Sequence, residues 1–448
     1  MTRGAGTRAR PAPLPTGRNR RLRRDRPRIA LTLLLVAAAM PVRLPVRVPV
    51  VGSVSVLDLV LIALLVTLFL DLPWRRLSWG PRPLAIALLI PPAVSALSML
   101  WTQDRNATLR STIVYAEAVI AYLVVLRELE GLSAARVVPF LRRYAWLVTL
   151  PAVLLLLHVP GFQPEEAGLS TTSGDYLSYY TRLSHPVLGR SNNLATVLAI
   201  LVPPLLYWGH TRRDRRATTA GLIALTAVVL TLSRGVLVAF AVGGLGYLLL
   251  LRRPPGSPRR PVLGKIVAAT LGLAAAAAAL YELNPDTREF FLGRLSPANV
   301  ARRADLYSVA FQKIAERPLL GYGAGAVPDR DPALFVDVHN TYLQQLLYYG
   351  LPLGILVGVA IAALPIFFVA RRWRTPVAGA VAYALLVEAI SFAFESSFEG
   401  TALRVIFYLT LGLLVGLVRA ARAETVRPEA AGPGAGRSGR REPTGSRQ

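Results

Sequence analysis

The sequence has no cysteine and little charge for its length. Only 17% of its 448 residues are Asp, Glu, Lys or Arg, whereas soluble domains average about 25%. Without cysteine, neither a disulfide framework nor a thiolate metal site can form. With 53% hydrophobic residues and a mean hydropathy of +0.46, the chain is too apolar for two or three ordinary soluble domains. This composition favours a polytopic helical membrane protein.

The charge that is present is strongly one-sided. The formal net charge is +26, and Lys265 and Lys313 are the only lysines, so nearly all of the positive charge is arginine. A soluble protein with this charge would be expected to bind nucleic acid. Here the arginines are concentrated in the tails and in short connectors beside apolar stretches, which indicates membrane topology. We therefore expect no nucleic-acid partner.

The patterns that hold metals or cofactors are also missing. The four histidines are scattered and form no His-x-x-x-His pair. The glycine-rich run at 321–325 has no strand pattern before it and no Gly-Lys-Ser/Thr after it, so it does not predict a phosphate loop. No Gly-x-Ser-x-Gly nucleophile elbow occurs. We expect no bound metal and no cofactor.

Long apolar runs recur along the chain. A helix that crosses about 30 Å of hydrocarbon needs about 20 mostly apolar residues. Twelve candidates lie at 29–42, 50–70, 83–101, 107–126, 143–159, 191–208, 217–233, 235–251, 264–282, 342–369, 376–394 and 401–418. Arginine-rich connectors alternate with connectors of low charge, so both termini are predicted to be cytoplasmic. The predicted fold class is all-α, with about twelve transmembrane helices in the cell membrane.

The predicted domain order follows from these spans. A disordered basic tail at 1–28 precedes spans one to nine at 29–282, and spans ten to twelve at 342–418 precede a second disordered tail at 419–448. Both tails are basic enough to contact anionic membrane lipid. The first run has only about 14 apolar residues and resembles a signal peptide. We favour an uncleaved span there because the alternation of charge then holds.

A long external loop is predicted at 283–341, between spans nine and ten. A structureless loop of this length would be unusual. Apolar residues recur at helical spacing across 299–316, which predicts an amphipathic helix that could lie at the membrane surface. Pro318 ends the pattern.

Four basic or polar positions at the outer face are candidates for chemistry. Arg234 follows an apolar run in Leu-Ser-Arg-Gly, and either stabilises a hairpin or binds an anion. Arg302 and Arg303 open the amphipathic helix, where a solvated face is the plainer interpretation of each alone. His339, followed by Asn340, closes the loop at a membrane boundary. Its imidazole could act as a general base or bind a phosphate oxygen.

Two acidic residues fall inside predicted spans. A charge at Glu117 or Glu388 costs at least about 2.5 kcal/mol in the bilayer, so each needs a polar partner or a role. A hydrogen bond within the bundle is the favoured interpretation for both. Glu117 is also kept as a candidate substrate-binding residue. Asp58, near an outer end, is expected to be interfacial.

Several of these stretches, taken in order, resemble the O-antigen ligase/polymerase family. They are Ser-Asn-Asn-Leu-Ala at 191–195, Leu-Ser-Arg-Gly at 232–235, Arg-Ala-Asp-Leu-Tyr at 303–307, Glu-Arg-Pro-Leu-Leu-Gly-Tyr-Gly-Ala-Gly at 316–325 and His-Asn-Thr-Tyr-Leu at 339–343. Two positions depart from the family pattern. Tyr307 stands where tryptophan is common, and the glycine after Gly350 comes one place late, at Gly354.

The resemblance implies a membrane glycosyltransferase that uses a glycan linked to undecaprenyl diphosphate. The acceptor would be a glycan, a lipid or a protein at the outer face of the cytoplasmic membrane. In that role Arg234 and Arg303 would stabilise the diphosphate leaving group. His339 would accept the proton of the acceptor hydroxyl, with Asn340, Asn193 and Arg302 as further substrate contacts.

Two questions stay open on the sequence. A ligase attaches a finished glycan and a polymerase extends one by repeat units, and both need the same chemistry on the donor side. A transporter or flippase for a lipid-linked or anionic solute is the alternative from another class. Ionisable residues at mid-membrane in paired, broken helices would favour it.

Overall fold

The computed structural model describes most of the helical part of the chain. The described residues are 29–40, 43–48, 52–71, 82–157, 159, 183–185, 188, 191–250, 297–326, 338–369, 375–394 and 401–430. The ninth predicted span, the loop residues 283–296 and 327–337, the first tail at 1–28 and residues 431–448 of the second tail lie outside them. Residues 419–430 of the second predicted tail are helical.

The described chain is mostly helical. Its helices are α1 (Ile29–Ala39), α2 (Val56–Asp71), α3 (Arg82–Leu97), α4 (Arg105–Glu128), α5 (Ala134–Leu156), α6 (Ser191–Ala199), α7 (Val202–Arg212), α8 (Arg215–Leu230), α9 (Arg234–Leu250), α10 (Pro297–Glu316), α11 (Thr341–Ala362), α12 (Leu364–Val369), α13 (Pro376–Ser391) and α14 (Thr401–Ala430).

The all-α prediction misses one small sheet. Strands β1 (Arg43–Val48) and β2 (Gly52–Ser55) pair antiparallel between α1 and α2. The β1 sequence is Arg-Leu-Pro-Val-Arg-Val. Its two valines, at positions 46 and 48, are two residues apart, which suits a strand. The second predicted span therefore begins as a strand and becomes helical only at Val56.

Among the residues that the structure describes, six helical segments are long and apolar enough to cross a membrane. They are Arg82–Leu100, Arg105–Glu128, Ala134–Leu156, Ser191–Arg212, Thr341–Phe368 and Ala402–Thr425. Shorter apolar helices occur at Ile29–Ala39, Val56–Val66, Arg234–Gly243 and Val377–Ser391. The predicted class of helical membrane protein is confirmed, whereas the number of about twelve spans stays a prediction.

Side-chain caps fix where several helices begin. Asp104, Asp214 and Thr375 each accept a hydrogen bond from a backbone N–H in the first turn of the next helix. At α2, Ser55 and Asp58 cap each other's backbone N–H groups, at 2.6 and 3.2 Å. Asp58, expected only to be interfacial, thus has a structural role.

Helix α14 is the centre of the bundle. Most of its membrane-length window is buried, and it packs along α4 through two glycines. A Cβ at Gly412 would lie 3.1 Å from Val125, and one at Gly416 would meet Leu129. Small residues four apart allow two helix backbones to approach closely. Because Gly412 faces Val125 and Gly416 faces Leu129, the two helices run in the same direction.

Three basic connectors meet at one end of the bundle. Glu424 of α14 accepts a hydrogen bond from the backbone N–H of Ala134 at 2.9 Å, and its other oxygen lies 3.5 Å from Arg212. The start of α5, the end of α7 and the end of α14 are therefore adjacent. This is the arrangement that the alternation of basic connectors predicts for spans five, six and twelve.

The tenth predicted span, 342–369, is not one straight helix. Gly350 has φ 72° and ψ 179°, so α11 is divided into a first arm, 341–349, and a second arm, 351–362. A Cβ at Gly354 would lie 2.7 Å from the Cα of Leu346. In a straight helix these two positions would be about 12 Å apart. The first arm therefore folds back against the second.

The glycine that comes one place late has a clear packing role. Gly354 and Gly358 are four residues apart on the second arm and face the first arm, where the Tyr342 ring lies 3.4 Å from a Cβ placed at Gly358. Gly350 supplies the left-handed turn, which a residue with a side chain rarely adopts. Gly350 thus makes the break, whereas Gly354 and Gly358 make the contact between the two arms.

We expect Gly412→Val to weaken the packing of α14 on α4, because the added side chain has no room beside Val125. Overpacking of this kind costs about 1–3 kcal/mol. Thermal unfolding in detergent should show a lower Tm than the wild type. Ala423→Val, on an exposed face of the same helix, is the matched control and should leave Tm unchanged. Equal Tm values for the two variants would contradict this packing.

Candidate functional site

The break at Gly350 changes the hydrogen bonding of α11. In a continuous helix the carbonyl of Leu347 would accept from the N–H of Leu351. Here Leu351 N–H donates to Pro318 O instead, at 2.7 Å. The carbonyls of Leu347 and Tyr348 accept from the N–H groups of residues 322 and 323, at 3.2 and 2.8 Å. A segment from the long loop thus docks in the break.

That segment, 317–326, is called here the docking loop. On its other side it contacts the turn between α3 and α4. Trp101 donates its indole N–H to Leu320 O at 2.6 Å, and Ala324 N–H donates to Ser98 Oγ at 3.1 Å. A Cβ at Gly321 would lie 2.5 Å from the N of Gly350. The docking loop is therefore held between α11 and the α3–α4 turn.

The predicted amphipathic helix is confirmed as α10, and it packs on the first arm. Ala310 and Ile314 are buried, together with Leu343 and Leu347 of the arm. Tyr307, at the position where the family has tryptophan, packs against the same cluster and keeps an aromatic ring there. Phe311 is 59% exposed on the opposite face. The apolar stripe of α10 therefore faces the protein.

His339 lies just before the first arm in a left-handed conformation, with φ 54°. This conformation is uncommon for a residue with a side chain and often occurs at functional sites. Asn340 caps the arm, because its Oδ1 accepts from Leu343 N–H at 3.0 Å. Thr341 N–H donates to Phe392 O at 2.8 Å. The His339 turn is thereby fixed to the end of α13.

Arg303 lies toward the His339 end of the α10–α11 pair. Helix α10 ends at Glu316 beside the docking loop, which binds Leu347, so its earlier turns extend toward residues 338–341. Arg303 is half-buried, one turn before Tyr307. The side chain of Arg302 lies outside the described residues. The structure thus brings Arg303 and His339 to the same end of one two-helix unit.

Arg234 lies on a different element. It is exposed at the start of α9, directly after buried Ser233. Phe240 of α9 packs on Tyr383 of α13, and Gly243 packs on Val387. These contacts place α9 beside α13.

Arg234 follows Leu230 by four residues, and the Leu230 carbonyl accepts from Leu183 N–H at 2.9 Å, so Arg234 lies near the segment that leads into α6. The His339 turn is held at the Phe392 end of α13.

The remaining predicted residues are spread over the bundle. Asn193 of α6 donates to Leu188 O at 2.9 Å. Glu117 of α4 lies near Asp58. Glu388 of α13 is 3% exposed, and its Oε2 has no hydrogen-bond partner among the described residues. The hydrogen bond expected for Glu388 is therefore not seen for this oxygen. Glu388 lines a small cavity together with Thr196 and Thr410.

His185 contrasts with His339. It is fully buried, its Nδ1 accepts from Leu188 N–H at 3.0 Å, and burial lowers its pKa to about 3. It is therefore neutral at physiological pH and has a structural role. His339 is partly exposed and better placed for proton transfer.

One buried arginine was not singled out by the sequence analysis. Arg404 of α14 is 5% exposed, its Nη1 lies 2.6 Å from Ser111 Oγ, and its guanidinium lies 4.5 Å from the centre of the Tyr115 ring. An arginine inside an apolar span is a functional candidate by default. That rule, applied to the fourth residue of α14, would have found it.

Comparison with known proteins supports the family inferred from the motifs. The fold defines a helical membrane protein in which α10 and the docking loop pack on the first arm of α11. Residues 219–358 match a family model described as O-antigen ligase, and the matched segment contains Arg234, Arg303 and His339. This match supports the resemblance to the O-antigen ligase/polymerase family that the motifs indicate, and it suggests a glycosyltransferase-type enzyme. No curated protein matches the chain.

We expect Gly350→Ala to release the docking loop. The new Cβ would lie 2.5 Å from the backbone of Leu319, and φ would be strained. Because the chain has no cysteine, a Ser98→Cys/Ala324→Cys pair can report docking by disulfide formation without a background thiol. The pair should cross-link readily in the native sequence and poorly with Gly350→Ala.

Gly358→Ala is the control for this experiment, because its Cβ meets only the Tyr342 ring at an ordinary 3.4 Å. It should cross-link like the native sequence. Equal cross-linking in the Gly350→Ala background would show that docking does not depend on the break.

Proposed function

We propose that the protein transfers a glycan from an undecaprenyl diphosphate carrier to a glycan, lipid or protein acceptor at the outer face of the cytoplasmic membrane. The observation that carries the proposal is the O-antigen ligase match over 219–358. Within that segment, Arg303 and His339 lie at one end of the α10–α11 unit. Cell-surface polysaccharide biosynthesis is the process that this reaction serves.

The reaction requires a base and a stabilised leaving group. The bond between the sugar's anomeric carbon and the diphosphate oxygen breaks, and the oxygen of an acceptor hydroxyl bonds to that carbon. His339 takes the hydroxyl proton on a ring nitrogen. Arg303 stabilises the charge that develops on the leaving diphosphate through charge-assisted hydrogen bonds. Since arginine supplies the positive charge, the proposed mechanism requires neither a metal nor a cofactor.

The other predicted residues take supporting roles in this proposal. Asn340 holds the His339 turn by capping the first arm, and its amide nitrogen is available to a substrate. Asn193, Arg302 and Glu117 remain candidate substrate contacts on other parts of the bundle. We place both termini in the cytoplasm, with spans at 29–282 and 342–418 and the external loop at 283–341.

A transporter is the second candidate, because two features of the described structure favour it. Helix α11 is broken at Gly350, and Glu388 is buried beside a cavity. Broken helices and buried ionisable residues occur at transporter binding sites, where they come in matched pairs. The gap at Gly350 is filled by the docking loop and so offers no open binding site for a solute. The transferase is therefore preferred.

We expect His339→Ala and Arg303→Ala to abolish transfer without loss of membrane insertion. Loss of a general base costs about 10²–10⁴-fold in rate, and loss of a charge-stabilising donor about 10²–10³-fold. The measurement is transfer of labelled glycan from an undecaprenyl diphosphate donor by purified protein in vesicles. Arg302→Ala is the matched control and should reduce transfer much less. Equal losses from Arg302→Ala and Arg303→Ala would contradict the assignment.

A second prediction concerns Arg234. Because Arg234 and Arg303 lie on different elements, we expect the rate losses of Arg234→Ala and Arg303→Ala to multiply in the double variant. Residues that act as one unit are instead strongly non-additive. A double variant no slower than Arg303→Ala alone would contradict this expectation and place both arginines on the same diphosphate.

A further inference from the structure

The first arm of α11 carries His339 at one end and meets a buried polar cluster at the other. Tyr349, the last residue of the arm, is 1% exposed and packs in one buried cluster with Tyr115, and its hydroxyl lies close to the side chains of Ser95 and Tyr115. These residues belong to α3 and α4. The arm is thus held against the bundle at the residue directly before the Gly350 break.

Arg404 holds that cluster from α14. Its Nη1 donates to Ser111 Oγ at 2.6 Å, and its guanidinium lies 4.5 Å from the centre of the Tyr115 ring. The planar guanidinium stacks on the ring and keeps a fixed hydrogen-bond direction, which an ammonium cannot reproduce. Tyr115, with 1% exposure, has little freedom to move between Arg404 and Tyr349.

The contacts therefore form a continuous path from α14 to the site. Arg404 orients Tyr115, and Tyr115 contacts Tyr349. Tyr349 is followed by the Gly350 break, where the carbonyls of residues 347 and 348 hold the docking loop. Because the arm is one rigid helix of nine residues, a shift at Tyr349 also displaces the His339 turn.

We propose that Arg404 is a positioning residue, which fixes the Gly350 break through Tyr115 and Tyr349 and thereby sets the positions of the docking loop and the His339 turn. This inference rests on the proposed function for its catalytic consequence, but its structural consequence is independent of activity. Arg404 does not touch the substrate in this account. Misplacement of a catalytic group by about 1 Å is enough to cost about 10²-fold in rate.

The test uses Arg404→Lys, which keeps the charge but loses the flat stacking surface and the fork of donors. In the Ser98→Cys/Ala324→Cys background, disulfide formation should fall several-fold in Arg404→Lys. Tyr349→Phe, which removes only the hydroxyl, should show the same direction of change. Arg422→Lys, at an exposed position of α14, should cross-link like the native sequence. His339→Ala should also cross-link normally, because it removes chemistry and leaves the path intact.

The catalytic readout separates this role from substrate binding. Arg404→Lys should lower kcat about 10- to 100-fold with KM within about twofold, because the side chain makes no substrate contact. A large rise in KM at unchanged kcat would mean that Arg404 binds substrate, which overturns the proposal. Normal cross-linking in both Arg404→Lys and Tyr349→Phe would overturn it as well.

The two proposals fail in different ways. If the native protein transfers no glycan, the proposed function fails, while reduced cross-linking in Arg404→Lys still supports the positioning role. If the native protein transfers glycan and Arg404→Lys matches it in both rate and cross-linking, the positioning role fails alone. Arg404→Met complements Arg404→Lys by removing the charge, and it should reduce cross-linking at least as strongly.

Discussion

The arrangement of the candidate site depends on backbone hydrogen bonds that α11 does not make with itself. A break at Gly350 leaves two carbonyls and one N–H without partners inside the helix, and inside a bundle such groups must be satisfied elsewhere. The docking loop supplies those partners, since Tyr322 and Gly323 donate to the two carbonyls and Pro318 accepts from the N–H of Leu351. One local break thus fixes the path of the long loop, the direction of the first arm and the place of His339.

Sequence reasoning predicted the parts of this arrangement that depend on local pattern. Helical spacing at 299–316 predicted α10, and the structure places its apolar residues against the first arm. The order of short motifs predicted the resemblance to the O-antigen ligase/polymerase family, which the match over 219–358 supports. Charge alternation predicted that basic connectors meet, and Glu424 joins two of them to α14. These features follow from the period of a helix and from the cost of burying charge.

Other features could not be predicted because they depend on contacts far apart in the chain. A window of apolar residues cannot show that a helix turns back on itself, so 342–369 was predicted as a single span. The capping role of Asn340 and the contact of Arg404 with Tyr115 require knowledge of which helices are neighbours.

The central claim is that a glycan leaves a lipid diphosphate at the outer face of the membrane, with His339 as the base. The most direct measurement is to delete the gene and determine which leaflet holds the lipid-linked glycan, with complementation by wild type or His339→Ala. The account predicts accumulation on the outer leaflet that wild type clears and His339→Ala does not. Finished chains would then indicate a ligase, and single units a polymerase. Accumulation on the cytoplasmic leaflet, or clearance by His339→Ala, would contradict the account.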